Sequence, residues 1–138
     1  MEYTVSRDVD AGSDRVWAVI ADVERMPTWT SSMRRVRLVD GTTLAVGGRV
    51  RIEQPRLPPA TWQVTELEPG RSYTWESPAP GLYSTAWHTI DPLGEGRSRI
   101  TLGFRQTGPL AVVGVLMGRL IRGYVDTEIA GVVAESTR

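Results

Sequence analysis

The sequence predicts an α+β domain in which a curved antiparallel sheet of six or seven strands wraps around a long C-terminal helix. Three observations predict it. The elements run strand, helix, five or six short strands, long helix. The strand-like runs between Val36 and Phe104 are joined by Gly- and Pro-marked turns, far too short for the crossovers that parallel strands require. The last segment carries a broad apolar stripe, and it is the only element long enough to cover the apolar face that such a sheet must bury. At 138 residues the chain is one domain, residues 1–138, with no internal repeat and no linker.

The first strand is read from alternation. Tyr3, Val5 and Val9 share one face and Thr4, Ser6 and Asp8 the other. Arg7 falls on the apolar face, where a buried guanidinium would need an acidic partner. Glu66, on the same face as Trp62 and Val64, is one candidate; a rim position with Arg7 reaching water is the other. Ala11-Gly12-Ser13 breaks the strand, and Ser13 or Asp14 can cap a helix. Val16, Val19, Ile20 and Val23 follow at helical spacing with Trp17 beside them, and Pro27 is expected to stop the helix. Residues 28–33 are read as a short turn of helix or a loop.

Strands are then predicted over 36–40, 50–54, 61–67, 73–77, 82–91 and 99–104, each ended by Gly or Pro. Residues 110 to about 135 are read as one long helix. Its stripe is Val113, Leu116, Met117, Leu120, Ile121, Tyr124 and Val132, with Arg119, Arg122 and Asp126 toward solvent. Gly114 and Gly118, four apart, allow close contact with the sheet or loosen the first turns of the helix. A long rod laid across a curved sheet touches it well only in places, and the wedge between them is where a pocket is expected.

Composition removes several functions. Sixteen basic residues, all Arg, balance sixteen acidic ones, so there is no electrostatic footprint for nucleic acid. The cluster Arg34, Arg35 and Arg37 is read as the solvated start of a strand. With no Cys and a single His, thiolate chemistry and His/Cys zinc sites are out, and no carboxylate spacing suggests another metal. No GxSxG, GxGxxG or GxxxxGK[ST] motif occurs, so no nucleotide, flavin or nicotinamide cofactor is expected. The longest apolar run is too short to span a bilayer, and the acidic N-terminus does not resemble a signal peptide. A cytoplasmic location without integral membrane association is expected.

The stretch VWAVIADVERMPTW (16–29) resembles the first-helix signature of the START-like superfamily, also called the helix-grip or SRPBCC superfamily. VTELEPGRSYTWES (64–77), RITLGFRQTGP (99–109) and the final helix resemble its polyketide cyclase/dehydrase-like branch. The similarity runs over essentially the whole chain. It implies the helix-grip fold, a START-like ligand-binding domain, with one or two short helices after the first strand. It also implies a range of functions: lipid carriers, hormone- and allergen-type binders, and polyketide aromatases and cyclases. Fold does not choose among them. Trp17 and Trp29 of the signature are expected to pack the first helix against the sheet.

Strand parity indicates which side chains face the wedge. Val50 and Ile52, Trp62 and Val64, Tyr73 and Trp75, and Ile100, Leu102 and Phe104 form the apolar set. Ile90 then places His88, Ala86 and Ser84 on the same face and turns Trp87 outward, a register that one residue of slip would invert. His88, the only histidine, is the natural proton-transfer or ligand-orienting group, although a buried histidine satisfied by a backbone carbonyl is the plainer reading. Trp62, Tyr73, Trp75 and Tyr124 are a heavy aromatic load that suits either core packing or a flat, cyclic ligand. The candidate ligand-binding residues are therefore His88, Tyr73, Trp75, Trp62, Ile52, Phe104, Met117 and Tyr124, and the proline-rich loops 55–59 and 78–80 are expected to rim the opening.

The expected function is binding or carriage of a hydrophobic small molecule: a lipid, a polyketide-like ring or another cyclic apolar compound. One alternative is an enzyme of cyclase, aromatase or dehydratase type with His88 as its proton-transfer residue. Another is an interaction module, in which an outward Trp87 and the last helix dock a partner chain; a homodimer would be one form of it.

Overall fold

A computed structural model describes residues 1–138, the side chains of 113–115 excepted. The strands are β1 (Glu2–Val9), β2 (Arg35–Leu38), β3 (Arg49–Glu53), β4 (Ala60–Glu68), β5 (Ser72–Ala79), β6 (Leu82–Gly94) and β7 (Arg97–Thr107). Between β1 and β2 lie helix α1 (Ser13–Ala21), a 3₁₀ turn (Val23–Arg25) and the single-turn α2 (Met26–Trp29). The chain ends in α3 (Ala111–Leu116) and α4 (Gly118–Ser136). All seven strands join one antiparallel sheet in the order β1-β7-β6-β5-β4-β3-β2. Only β1 pairs out of sequence order, closing against the last strand. Among the described residues no helix is long and apolar enough to cross a membrane.

The alternation of apolar and polar residues puts one face of the sheet inward, as parity requires. Val50, Ile52, Trp62, Val64, Tyr73, Trp75, Ile90, Ile100 and Leu102 are all buried. With α1 and the C-terminal half of α4 they make the core. Val9, Ile20, Tyr73, Ile90, Ile100, Ile129 and Val132 are each at most 1% exposed, and each contributes roughly 2 kcal/mol by leaving water. Two glycines permit close approaches. A Cβ on Gly131 would stand 2.3 Å from the carbonyl oxygen of Trp29, so its absence lets α2 abut α4. A Cβ on Gly103 would meet the Trp87 ring at 1.9 Å, so Trp87 lies over bare backbone on the outer face.

The structure departs from several of the sequence expectations. The C-terminal helix is not continuous: it breaks at Met117, whose ψ of 1° leaves the helical range, and Leu116, placed on the buried stripe, is 85% exposed. Val113, and Gly114 with its spacing to Gly118, lie outside the described side chains. Pro27 starts α2 rather than ending α1, because a first-turn position needs no N–H donor. Helix α1 has Gly12 as its N-cap and makes no side-chain capping bond. Arg7 and Glu66 do not meet. Arg7 is exposed and donates to the Ser6 carbonyl at 3.0 Å; β1 and β4 are separated by three strands. A β-bulge between Val64 and Glu66 turns Glu66 outward and pairs Leu67, in its stead, with Tyr73. Trp87 is turned outward, as parity expects, and the Arg105 guanidinium sits 5.5 Å over its ring. Trp29 packs on α4 at Gly131, while Trp17 meets Tyr73 edge-on at 6.1 Å.

The Arg cluster stays in solvent on the outer face of the β2–β3 edge. Arg35 stands opposite Glu53 and Arg37 opposite Arg51, and all three arginines are exposed.

Candidate functional site: a tapered cavity under the C-terminal helix

The floor of the wedge is written in two strands. Along β6 the inward side chains shrink from Ile90 and His88 to Ala86 and Ser84. Their partners on β7 are Ile100, Leu102, Phe104 and Gln106. Where β6 carries Ile90, that residue is fully buried in one core cluster with Val16 and Ile20 of α1 and Ile129 and Val132 of α4. Where it carries Ala86 and Ser84, too little side-chain volume remains to reach α4. Close packing cannot be restored there, because strand and helix backbones are set by their own hydrogen-bond ladders.

The result is a cavity of about 570 Å³, within the range of sites that hold drug-sized molecules. Its floor includes Ile52, Trp62, Trp75, Ala86, Leu102 and Phe104; its roof is Met117, Ile121, Tyr124 and Val125 from the break in the helix and the first half of α4. Leu57, Pro58 and Pro59 on one loop, and Pro78, Ala79 and Leu82 at the β5–β6 turn, rim it. The Tyr124 hydroxyl donates to the carbonyl of Pro55 and ties α4 to the proline loop.

Polar groups gather at the closed end. His88, 3% exposed, stacks on Tyr73 with ring centroids 4.1 Å apart and meets Trp75 edge-on at 5.2 Å. Its Nδ1 lies 3.2 Å from the Tyr73 carbonyl oxygen. A carbonyl can only accept, so Nδ1 carries the proton and Nε2 is the atom left for chemistry. Facing Nε2 at 3.6 Å is Oε2 of Glu128, on α4, with a side chain only 12% exposed. The carboxylate and the buried imidazole face each other at the inner end of the cavity. They stand as a pair alone: among the described residues no three His, Cys, Asp or Glu side chains gather as a metal site would. Burial pushes the Tyr73 hydroxyl well above the ordinary tyrosine range, and the negative charge of Glu128 adds to the shift. That hydroxyl donates to the Ile20 carbonyl at 2.8 Å, one of the carbonyls the end of α1 leaves free.

The structure thus brings His88, Trp75, Trp62, Ile52, Phe104, Met117 and Tyr124 to one cavity. Tyr73 lies behind the wall, supporting His88 rather than lining the space. Sequence reasoning did not single out Glu128, Gln54, Gln106 or Ser77, which also line it. Glu128 had a findable signal. It sits four residues after Tyr124 and seven after Ile121, on the same helical face.

A family model for polyketide cyclase / dehydrase and lipid transport matches residues 1–137. Curated proteins yield no sequence match. Among solved structures, the Zhui aromatase/cyclase from Streptomyces sp. R1128 aligns with a TM-score of 0.81 at 18% identity, covering 100% of this chain and 94% of that one. The di-domain aromatase/cyclase BexL of the BE-7585A biosynthetic pathway aligns with a TM-score of 0.75 at 19% identity over 98% of this chain. This chain spans only 46% of that protein's length. Norcoclaurine synthase from Thalictrum flavum, determined with dopamine and hydroxybenzaldehyde, aligns with a TM-score of 0.70 at 12% identity over 98% of this chain and 84% of that one. At such identities these likenesses speak for the fold. The family match over residues 1–137 makes the chain a member of the polyketide cyclase / dehydrase and lipid transport family, and the sheet order and gripped helix give it the helix-grip fold.

Proposed function

We propose that the protein binds a flat, largely apolar, ring-containing small molecule in the cavity between β6–β7 and α4, with its inner end oriented by His88 and Glu128. The observation that carries this reading is the taper of β6, which leaves a space of about 570 Å³ lined mostly by apolar and aromatic side chains and ending on the pair His88 and Glu128. Burial of ligand surface supplies affinity at about 25 cal/mol per Å², and the polar end fixes orientation. Trp62 and Trp75 line the space and report on it, so titration with trans-stilbene should quench tryptophan fluorescence saturably at one molecule per chain. Ala86→Trp, which fills the floor, should abolish the quenching while the far-ultraviolet circular dichroism is kept. No saturable quenching in the unaltered chain would overturn the reading.

A second reading, catalysis, is favoured by the protonation pattern at His88. With Nδ1 held by the Tyr73 carbonyl, Nε2 is a base facing the cavity, and Glu128 stabilises the imidazolium formed when it takes a proton. On a cyclic β-hydroxy ketone, Nε2 takes the proton from the carbon beside the carbonyl. The C–O bond then breaks, and the proton is returned to the departing hydroxide as water. No redox partner is required. The test reaction is loss of water from 3-hydroxy-1-tetralone to give 1-naphthol. His88→Ala should slow it at least about 100-fold, and Glu128→Gln should lower kcat more than it changes KM. Turnover indifferent to both substitutions, or no turnover at all, removes the enzymatic reading and leaves the binding one.

A further inference from the structure

A second polar pair lies in the same cavity, away from His88 and unused by the reading above. Ser84 and Gln106 are direct cross-strand neighbours on β6 and β7. Each is only 8% exposed, and both line the cavity on the side of the β5–β6 turn. Gln106 Nε2 donates to Ser84 Oγ at 3.2 Å. Two groups are then left over. Gln106 Oε1 is buried with no hydrogen-bond partner, and the Ser84 hydroxyl proton has no acceptor among the described residues. An unpartnered buried acceptor is costly, and native cores seldom keep one without a reason.

Position makes the pair informative. Ser84 and His88 are four residues apart on one strand face, a span of about 13 Å at the ordinary rise. Between them the floor is Ala86, Phe104 and Leu102, which offer no side-chain hydrogen bond. The cavity therefore reads as polar, apolar, polar along its length. The terminal torsion of a glutamine is soft, so a modest rotation turns the amide oxygen toward the space.

We propose that Ser84 and Gln106 form a second, specificity-determining subsite that binds a hydroxyl group at the outer end of the ligand. A hydroxyl suits both unused groups, since it accepts from Ser84 Oγ–H and donates to Gln106 Oε1. The ligand class follows: an elongated, flat molecule with an apolar middle and a polar group at each end. This rests on the reading that the cavity holds a ligand at all, and the test separates the two.

The probes are trans-stilbene, 4-hydroxystilbene and 4,4′-dihydroxystilbene, titrated against tryptophan fluorescence. The unaltered chain should bind the diol about tenfold more tightly than the mono-ol, the equivalent of one well-placed hydrogen bond. In Ser84→Ala/Gln106→Leu that preference should fall to within about twofold, while stilbene itself binds as before or better. Ser84→Ala alone, which changes almost no volume, carries the same test at reduced amplitude if the double variant does not fold. Equal binding of the diol and the mono-ol by the unaltered chain, or a preference that survives both substitutions, overturns the subsite and leaves cavity binding standing. Failure of all three probes to bind overturns both.

Discussion

The two halves of the wedge under α4 share one sheet and one helix yet behave oppositely. At the closed end Ile90, Ile100, Ile129 and Val132 are fully buried in one core cluster. At the open end Ala86 and Ser84 face Met117 and Ile121 across empty space, and just before α4 the side chain of Leu116 is 85% exposed. The difference lies in the volume of alternate residues on β6 together with helix α1, which packs on β6, β7 and α4 at the Tyr73 end, and the half that is poor for stability is the half that can hold something else. His88 and Glu128 stand at the boundary between them.

Substitutions in the closed half should break this contrast most strongly. Ile129→Ala, or Ile90→Ala, removes a fully buried side chain that has no room to collapse, and should cost about 3 kcal/mol in urea unfolding. If either costs as little as a surface change, the closed end is not close-packed. Tyr73→Phe comes next. It deletes the hydroxyl that satisfies the Ile20 carbonyl and should cost about 1–2 kcal/mol while leaving His88 its stacking partner.

Met117→Ala, in the open half, should lower stability by less than about 1 kcal/mol, because Met117 roofs a space instead of filling one. Its effect should appear in stilbene affinity. A stability loss as large as that of Ile129→Ala would erase the contrast.

The smallest effect concerns acid. The Arg49 side chain, with help from its backbone N–H, holds the Asp40 carboxyl down to about 2 from its usual 3.8. A depressed folded value stabilises above the unfolded one, so the contribution is present above pH 3.8 and fades as the pH falls to about 2. Asp40→Asn should flatten the pH dependence of stability in that window and change nothing near neutrality beyond the loss of an exposed pair. An unaltered acid limb would place the acid sensitivity elsewhere.

Much of this was legible in the residues. Ile90 set the parity of β6 and thereby turned His88, Ala86 and Ser84 inward, because side chains alternate strictly along an unbroken strand. The turn chemistry between Val36 and Phe104 made the meander plain. What escaped depended on local breaks in periodicity. The bulge after Val64 inverts parity for one strand end, and nothing in TELE marks it. The helix break falls at Met117, directly before Gly118; glycine's looseness there was readable, but not that the rod would part at that residue. Gln106 was missed because the strand was ended at Phe104, one inward position too soon. Glu128 was missed because a charge on an apolar stripe reads as solvent-facing until another element is seen to bury it.

The measurement that tests the central claim most directly is a crystal structure of the chain grown with 4,4′-dihydroxystilbene. One molecule should lie along β6 between Phe104 and Tyr124, with one hydroxyl within hydrogen-bond distance of His88 Nε2 or Glu128. A space filled by a shifted α4 or by the protein's own aromatic rings, with no ligand between helix and sheet, would contradict it.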